Sequence, residues 1–269
     1  MKLNYQRHGA GEPLLLLHGI GADLRVWDPM LGDLASCFDV IAVDLPGFGH
    51  SDPLPDGGAP TAVALARALA ELLDDLSLVR VHIVGNSLGG WVALELGVSD
   101  RALSVVGLCP AGLWATPRLH AEAVYRGRAH RLARRLRPVL PLLMLSPEVR
   151  RTVLRPFVAS PEAVPYRAAT RMVLSYGRST AYDATATAMR RGNFSPRDAL
   201  QIEVPVTLAF GELDPLIQPA QIPAPGARTV ILPGCGHIPM WDDPGLVLEV
   251  VTSTIASSRS APVDTENGG

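Results

Sequence analysis

Three residues far apart in the chain, Ser87, Asp214 and His237, are of the types that nucleophilic acyl transfer uses. A serine hydroxyl attacks poorly at neutral pH, so it needs a base to accept its proton, and the base needs an acid to orient it. Ser87 lies in Val81-His82-Ile83-Val84-Gly85-Asn86-Ser87-Leu88-Gly89-Gly90-Trp91, which reads as a strand, a Gly-x-Ser-x-Gly turn and the start of a helix. Such a turn is tight, and it forces Ser87 into a strained backbone with its hydroxyl above the strand end. Gly85 and Gly89 omit the side chains that would collide where helix and strand cross. The helix start directs free amides and a partial positive charge at the same point.

The acid and the base are expected after the serine in the chain. Asp214 sits in Phe210-Gly211-Glu212-Leu213-Asp214-Pro215, just past one apolar run, and His237 in Leu232-Pro233-Gly234-Cys235-Gly236-His237, past the next. The carboxyl ends of strands are where open α/β sheets bind ligands. A further apolar run leads into Leu17-His18-Gly19-Ile20-Gly21-Ala22. The Ile20 and Leu88 amides would together form a two-donor oxyanion hole, each donor supplying about 3 kcal/mol to the transition state. His18 reads as a scaffold residue tying this loop down, and not as a second base.

These residues need a sheet to hold them, and the apolar runs supply one. Candidate strands are Leu14–Leu17, Val40–Val43, Val81–Val84, Val105–Leu108, Val206–Phe210 and Thr229–Leu232. Their unbroken apolarity suits strands buried on both faces of a parallel sheet. Helical patterns lie between them at Thr61–Leu76, Leu88–Leu96 and Pro244–Ile255, with Thr61 as a cap and Pro244 in a first turn. Strand alternating with helix predicts an α/β fold with a mostly parallel sheet. The rhythm breaks over residues 112–197, where Arg, Pro, Leu and Ala predict a helical cap inserted after the fifth strand. The core is then 1–111 and 198–256. The tail 257–269, with Ser257-Ser258-Arg259-Ser260-Ala261-Pro262, is expected to be disordered.

The net charge of −2 conceals a division. Residues 112–197 hold 16 Arg and four acids, net +12; the remainder holds 8 basic and 22 acidic residues, net −14. Two readings follow: solvated arginines without a dedicated partner, or a basic surface that steers an anionic substrate or docks an acidic carrier protein. A hydrophobic fraction of 48% is enough for a large core. The longest aliphatic run, Leu14–Leu17, is far too short to span a membrane, and the polar start resembles no signal peptide. A cytoplasmic protein without membrane or nucleic-acid partners is expected. Cys37, Cys109 and Cys235 form no paired framework and are expected as buried or half-buried thiols, without a nucleophilic role.

In combination, the segments His18-Gly19-Ile20-Gly21, Asp44-Leu45-Pro46-Gly47-Phe48-Gly49-His50-Ser51, Gly85-Asn86-Ser87-Leu88-Gly89-Gly90, Gly211 to Asp214 and Gly236-His237 resemble the α/β-hydrolase fold family over residues 3–256. The resemblance implies an eight-stranded, mostly parallel sheet opening with antiparallel strands, the first fitting Lys2 to Arg7. It also implies a serine hydrolase, with Asp44 anchoring a turn. Serine at position 87 argues against haloalkane dehalogenases and epoxide hydrolases, which carry Asp there. Asn86 resembles the meta-cleavage-product carbon–carbon hydrolases, but Ile238 stands where that group commonly has Trp. Carboxylic ester, lactone or thioester hydrolysis is the leading expectation. Carbon–carbon hydrolysis and a non-hydrolytic binding or cyclisation protein are the alternatives. Leu113, Trp114, Met144, Leu145 and Tyr176 are the expected pocket walls around an acyl-bearing small molecule, and Arg171 or Arg178 the contacts for an anionic one. The chain supplies nucleophile and base, so neither cofactor nor metal is implied.

Overall fold

The computed structural model describes residues 1–114, 127–217, 219 and 226–259. Its sheet has seven strands among the described residues: β1 Tyr5–His8, β2 Glu12–Leu17, β3 Phe38–Val43, β4 Val81–Asn86, β5 Ala102–Leu108, β6 Val206–Gly211 and β7 Arg228–Leu232. They run in the order β1-β3-β2-β4-β5-β6-β7. β1 pairs antiparallel with β3, and every other pairing is parallel. One antiparallel strand therefore opens the sheet, against the eight strands expected. The order reverses between β2 and β4, so the loops after these two strands flank a topological switch point.

Burial on both faces explains the unbroken apolar runs. Leu15 and Leu17 of β2 pack with Leu65 and Leu69 of helix α2 (Ala62–Asp75) and with helix α3 (Leu88–Val98). Leu14 and Leu16 face the other way, among Trp27, Leu34 of helix α1 (Asp28–Ala35), and Val247 and Val251 of the last helix, Pro244–Arg259. Thr61 caps α2, its hydroxyl accepting from the Ala64 amide at 3.2 Å. β7 differs from expectation: Ile231 is 48% exposed, because the strand lies at the sheet edge.

Between β5 and β6 the described residues form the helices Arg128–Leu136, Leu140–Leu143, Pro147–Leu154, Tyr166–Arg178, Tyr182–Arg191 and Pro196–Ala199. This insertion follows the fifth strand of the chain but only the fourth parallel one, not the fifth parallel strand expected, because β1 is antiparallel. Leu140, Met144, Leu154, Val158, Val164 and Val173 give it a small core of its own, against which Ile238 and Trp241 of the sheet domain pack. The expected disordered tail is partly helical, since Ser257 to Arg259 finish the last helix; residues 260–269 lie outside the described residues.

Candidate active site

Ser87 occupies the turn between β4 and α3 with φ 56° and ψ −115°, a conformation that non-glycine residues rarely adopt. Strain of this kind costs of order 1–3 kcal/mol and is held by the surroundings. Here the Ser87 amide donates to the Leu108 carbonyl at 2.9 Å, and the Ser87 carbonyl accepts from Ala111 at 2.9 Å. The two flanking glycines are places of close backbone approach. A Cβ on Gly85 would lie 2.1 Å from the Gly89 carbonyl oxygen, and one on Gly89 would lie 2.2 Å from that of Leu17. No side chain fits either position.

His237 and Asp214 are paired, with Nδ1 and Oδ2 2.8 Å apart in buried surroundings. Asp214 Oδ1 also accepts from the Leu216 and Ile217 amides at 2.7 and 3.1 Å. Burial opposes ionisation of Asp214, but the His237 bond and these two amides outweigh it and hold the carboxyl below its ordinary pKa. An ionised Asp214 fixes the proton of His237 on Nδ1 and leaves Nε2 as the acceptor. Ser87 Oγ is buried and makes no hydrogen bond among the described residues. Ser87 and His237 line the same cavity without a hydrogen bond between them.

The loop after β2 is fastened as its scaffold histidine suggests. His18 Nε2 accepts from the Leu45 amide at 2.9 Å, so Nδ1 carries the ring proton and donates to the Gly19 carbonyl at 2.7 Å. Burial lowers the pKa of His18 and keeps it neutral. Ile20 lines the cavity, and Leu88 is the first residue of α3, so its amide lies outside the helical ladder. Asp44 is an anchor: its carboxylate accepts from the Leu24 and His50 amides and from Asn4 Nδ2 at 2.7 to 2.9 Å.

The cavity, of about 580 Å³, lies between the sheet and the inserted helices. Of the expected walls, Met144 and Tyr176 line it, as do the other pocket candidates Asn86 and Ile238 and the expected anion contact Arg171. Four others do not. Leu113 and Trp114 belong to the main core, where Trp114 meets Trp91 edge to face and donates to the Gly192 carbonyl. Leu145 is 57% exposed, and Arg178 ends its helix in solvent. Arg171 is engaged, its guanidinium 3.0 Å from Asp28. Walls absent from the expectation include Tyr182, Leu216, Trp241 and the helical stripe Ala129, Leu132, Ala133 and Leu136. The stripe was readable, because its spacing is that of one helix face.

Cys37 is exposed, contrary to expectation; Cys109 and Cys235 are buried. Cys109, Asp214 and His237 present ligand atoms within 4.8 Å of one another. The imidazole and carboxylate are bonded to each other, and burial raises the Cys109 thiol well above its ordinary pKa. The thiol accepts from the Gly211 amide at 3.4 Å, so the trio reads as a hydrogen-bonded node and not as a cation site. Burial likewise pushes Cys235 up to about 12. Both raised thiols stay protonated near neutral pH.

The fold and this site define a class. The chain belongs to the alpha/beta hydrolase family, whose model matches residues 14–250. It is 36% identical over 147 residues to the dihydrolipoyllysine-residue acetyltransferase component of an acetoin cleaving system from Cupriavidus necator, covering 53% of this chain. The chain spans only 38% of that relative, and 48% of another matched at 36%. It is 30% identical over 213 residues to epoxide hydrolase EphH of Mycobacterium tuberculosis, covering 72% of this chain and 95% of the relative. To the pimeloyl-[acyl-carrier protein] methyl ester esterase of Aeromonas hydrophila it is 27% identical over 264 residues, 93% of this chain and 98% of the other. Solved structures superpose with TM-scores of 0.64 to 0.77 at 20 to 24% identity, a likeness of fold. Among the described residues, no helix is long and apolar enough to cross a membrane.

Proposed function

We propose that this chain is a serine hydrolase of carboxylic esters, including lactones and thioesters. The observation that carries the reading is the strained Ser87 sharing a cavity with a His237 already oriented by Asp214. In this reading Ser87 Oγ attacks the ester carbonyl while His237 Nε2 takes its proton. The Ile20 and Leu88 amides hold the oxyanion. His237 then protonates the leaving alkoxide or thiolate, and water, activated by the same imidazole, cleaves the acyl-enzyme.

The cavity supports an apolar acyl group. Val26, Leu136, Met144, Val153, Met172 and Trp241 contribute to its walls. Serine at position 87 favours ester over epoxide chemistry, despite the mycobacterial relative. The carbon–carbon reading loses support, because Arg171 is paired with Asp28, Arg178 lies outside the cavity, and Asn86 is spent on backbone carbonyls. The test compares p-nitrophenyl esters of increasing acyl length with a coloured dienoate. Turnover of the esters, best for the longer chains, is expected. Rapid turnover of the dienoate with none of the esters would overturn the assignment.

A further inference from the structure

The inserted helices carry an unusual surface. Five of the thirteen large apolar side chains most exposed among the described residues fall in one stretch: Leu132, Val139, Leu142, Leu143 and Leu145, at 39 to 68% exposure. Their display is ordered. Arg150 donates to the Met144 and Leu145 carbonyls at 2.7 and 3.0 Å, and the Tyr166 hydroxyl donates to the Pro141 carbonyl at 2.9 Å. The same stretch is strongly cationic, with eight arginines and one acid, Glu148, between residues 127 and 155. Arg128 and Arg135 flank Leu132 on its helix face, at i−4 and i+3.

Leu132 and Leu143 have a second property. Both line the cavity that contains Ser87, while being 57% and 39% exposed. These two leucines therefore join the exposed apolar surface to the wall of the cavity that holds Ser87.

From this continuity we propose that the face of residues 128–145 docks on an anionic lipid surface, and that the acyl substrate enters the cavity from that surface. Protruding leucines in an arginine-rich stretch match an interface in which apolar side chains enter the acyl layer while guanidinium groups meet anionic headgroups. An acidic carrier protein would satisfy the arginines, but it gives no reason for so many leucines in solvent. The proposal revises the sequence expectation of no membrane partner: the chain lies on the surface and does not span it. Its substrate half rests on the ester-hydrolase reading; its docking half does not.

The experiment is flotation of the full chain with vesicles of phosphatidylcholine alone and of phosphatidylcholine with an equal part of phosphatidylglycerol. Binding to the anionic vesicles is expected to be at least roughly tenfold tighter, a gain that one or two arginine contacts with the surface supply. It should weaken as salt rises to about 1 M, where screening shortens to about 3 Å. Leu142 and Leu145 lie outside the cavity lining, so the Leu142→Asp/Leu145→Asp double variant should lose vesicle binding and keep its turnover of a soluble short-chain ester. Absence of binding to anionic vesicles overturns the proposal, as does binding that the double variant retains. So does capture of an acidic acyl carrier protein in place of vesicles. Vesicle binding by a chain that turns over no ester would sink the hydrolase reading and leave the docking face standing.

Discussion

Asn86 and His237, 151 positions apart, are joined by a hydrogen bond from Asn86 Nδ2 to the His237 carbonyl at 2.9 Å. The same amide group donates to the Leu108 carbonyl at 3.1 Å. The residue before Ser87 thus ties the Ser87 turn to the histidine loop and to the end of β5. Asn86→Ala leaves the His237 carbonyl without this donor, at about 1–3 kcal/mol when left unsatisfied, while the Leu108 carbonyl keeps the Ser87 amide. Thermal melting should show a lowered midpoint, and kcat on a soluble ester should fall by roughly tenfold or more, since small displacements of reacting groups are costly. An unchanged kcat would show that the tie has no part in positioning His237.

Asp214→Asn removes the charge that fixes the imidazole. The Leu216 and Ile217 amides can still bond the remaining oxygen, so the fold should survive. An amide can offer a donor to Nδ1 and turn the imidazole to the wrong tautomer, a change expected to lower kcat by roughly 10³–10⁴-fold. Steady-state kinetics on a soluble ester, beside a far-UV spectrum matching wild type, checks this.

Stability should fall on mild acidification. Burial holds His18, His82 and His130 below their ordinary pKa, against the opposing pull of Asp44, Glu12 and Asp183 respectively. The unfolded chain therefore takes up protons first, near pH 6.5, so stability is full above that value and declines as pH falls from it toward the folded pKa values. Asp214 and Glu12, whose pKa values are lowered, add a loss only below about pH 4. Urea unfolding from pH 7 to 5 should show the decline, and His18→Gln should make it shallower. Stability that rises across this window would contradict the account.

Much of this was written locally in the sequence, and some was not. The five inner strands announce themselves because each is apolar on both faces. The Ser87 turn is legible because two glycines and a strand–helix change fall within five residues. The cavity walls depend on how short helices lie over the sheet, which no local pattern specifies. Trp114 is as apolar as any wall residue, yet it goes to Trp91 in the core. Leu145 follows Met144 directly, but a one-residue step on a tight turn sends one inward and the other to solvent. Thr229–Leu232 reads as a buried strand, and its edge position follows from the strand order alone.

Filling the cavity should reset the acyl preference. Met172 lines it and is only partly buried, so Met172→Trp can add bulk at a modest stability cost, typically about 1–3 kcal/mol for overpacking. KM for a p-nitrophenyl decanoate should rise by roughly tenfold or more, with the butyrate little changed, since each lost methylene contact is about 0.8 kcal/mol. Equal effects on both esters would place the acyl chain elsewhere.

The most direct measurement is covalent labelling with a fluorophosphonate, followed by peptide mapping. The hydroxyl of Ser87 is buried, lines the same cavity as His237 and has no hydrogen-bond partner among the described residues. One phosphonyl adduct is predicted, on the peptide containing Ser87, and it should be absent from Ser87→Ala and strongly slowed in His237→Ala. A Ser87→Ala protein that labels as fast as wild type, or an adduct mapped to another residue, would contradict the assignment of Ser87 as the nucleophile.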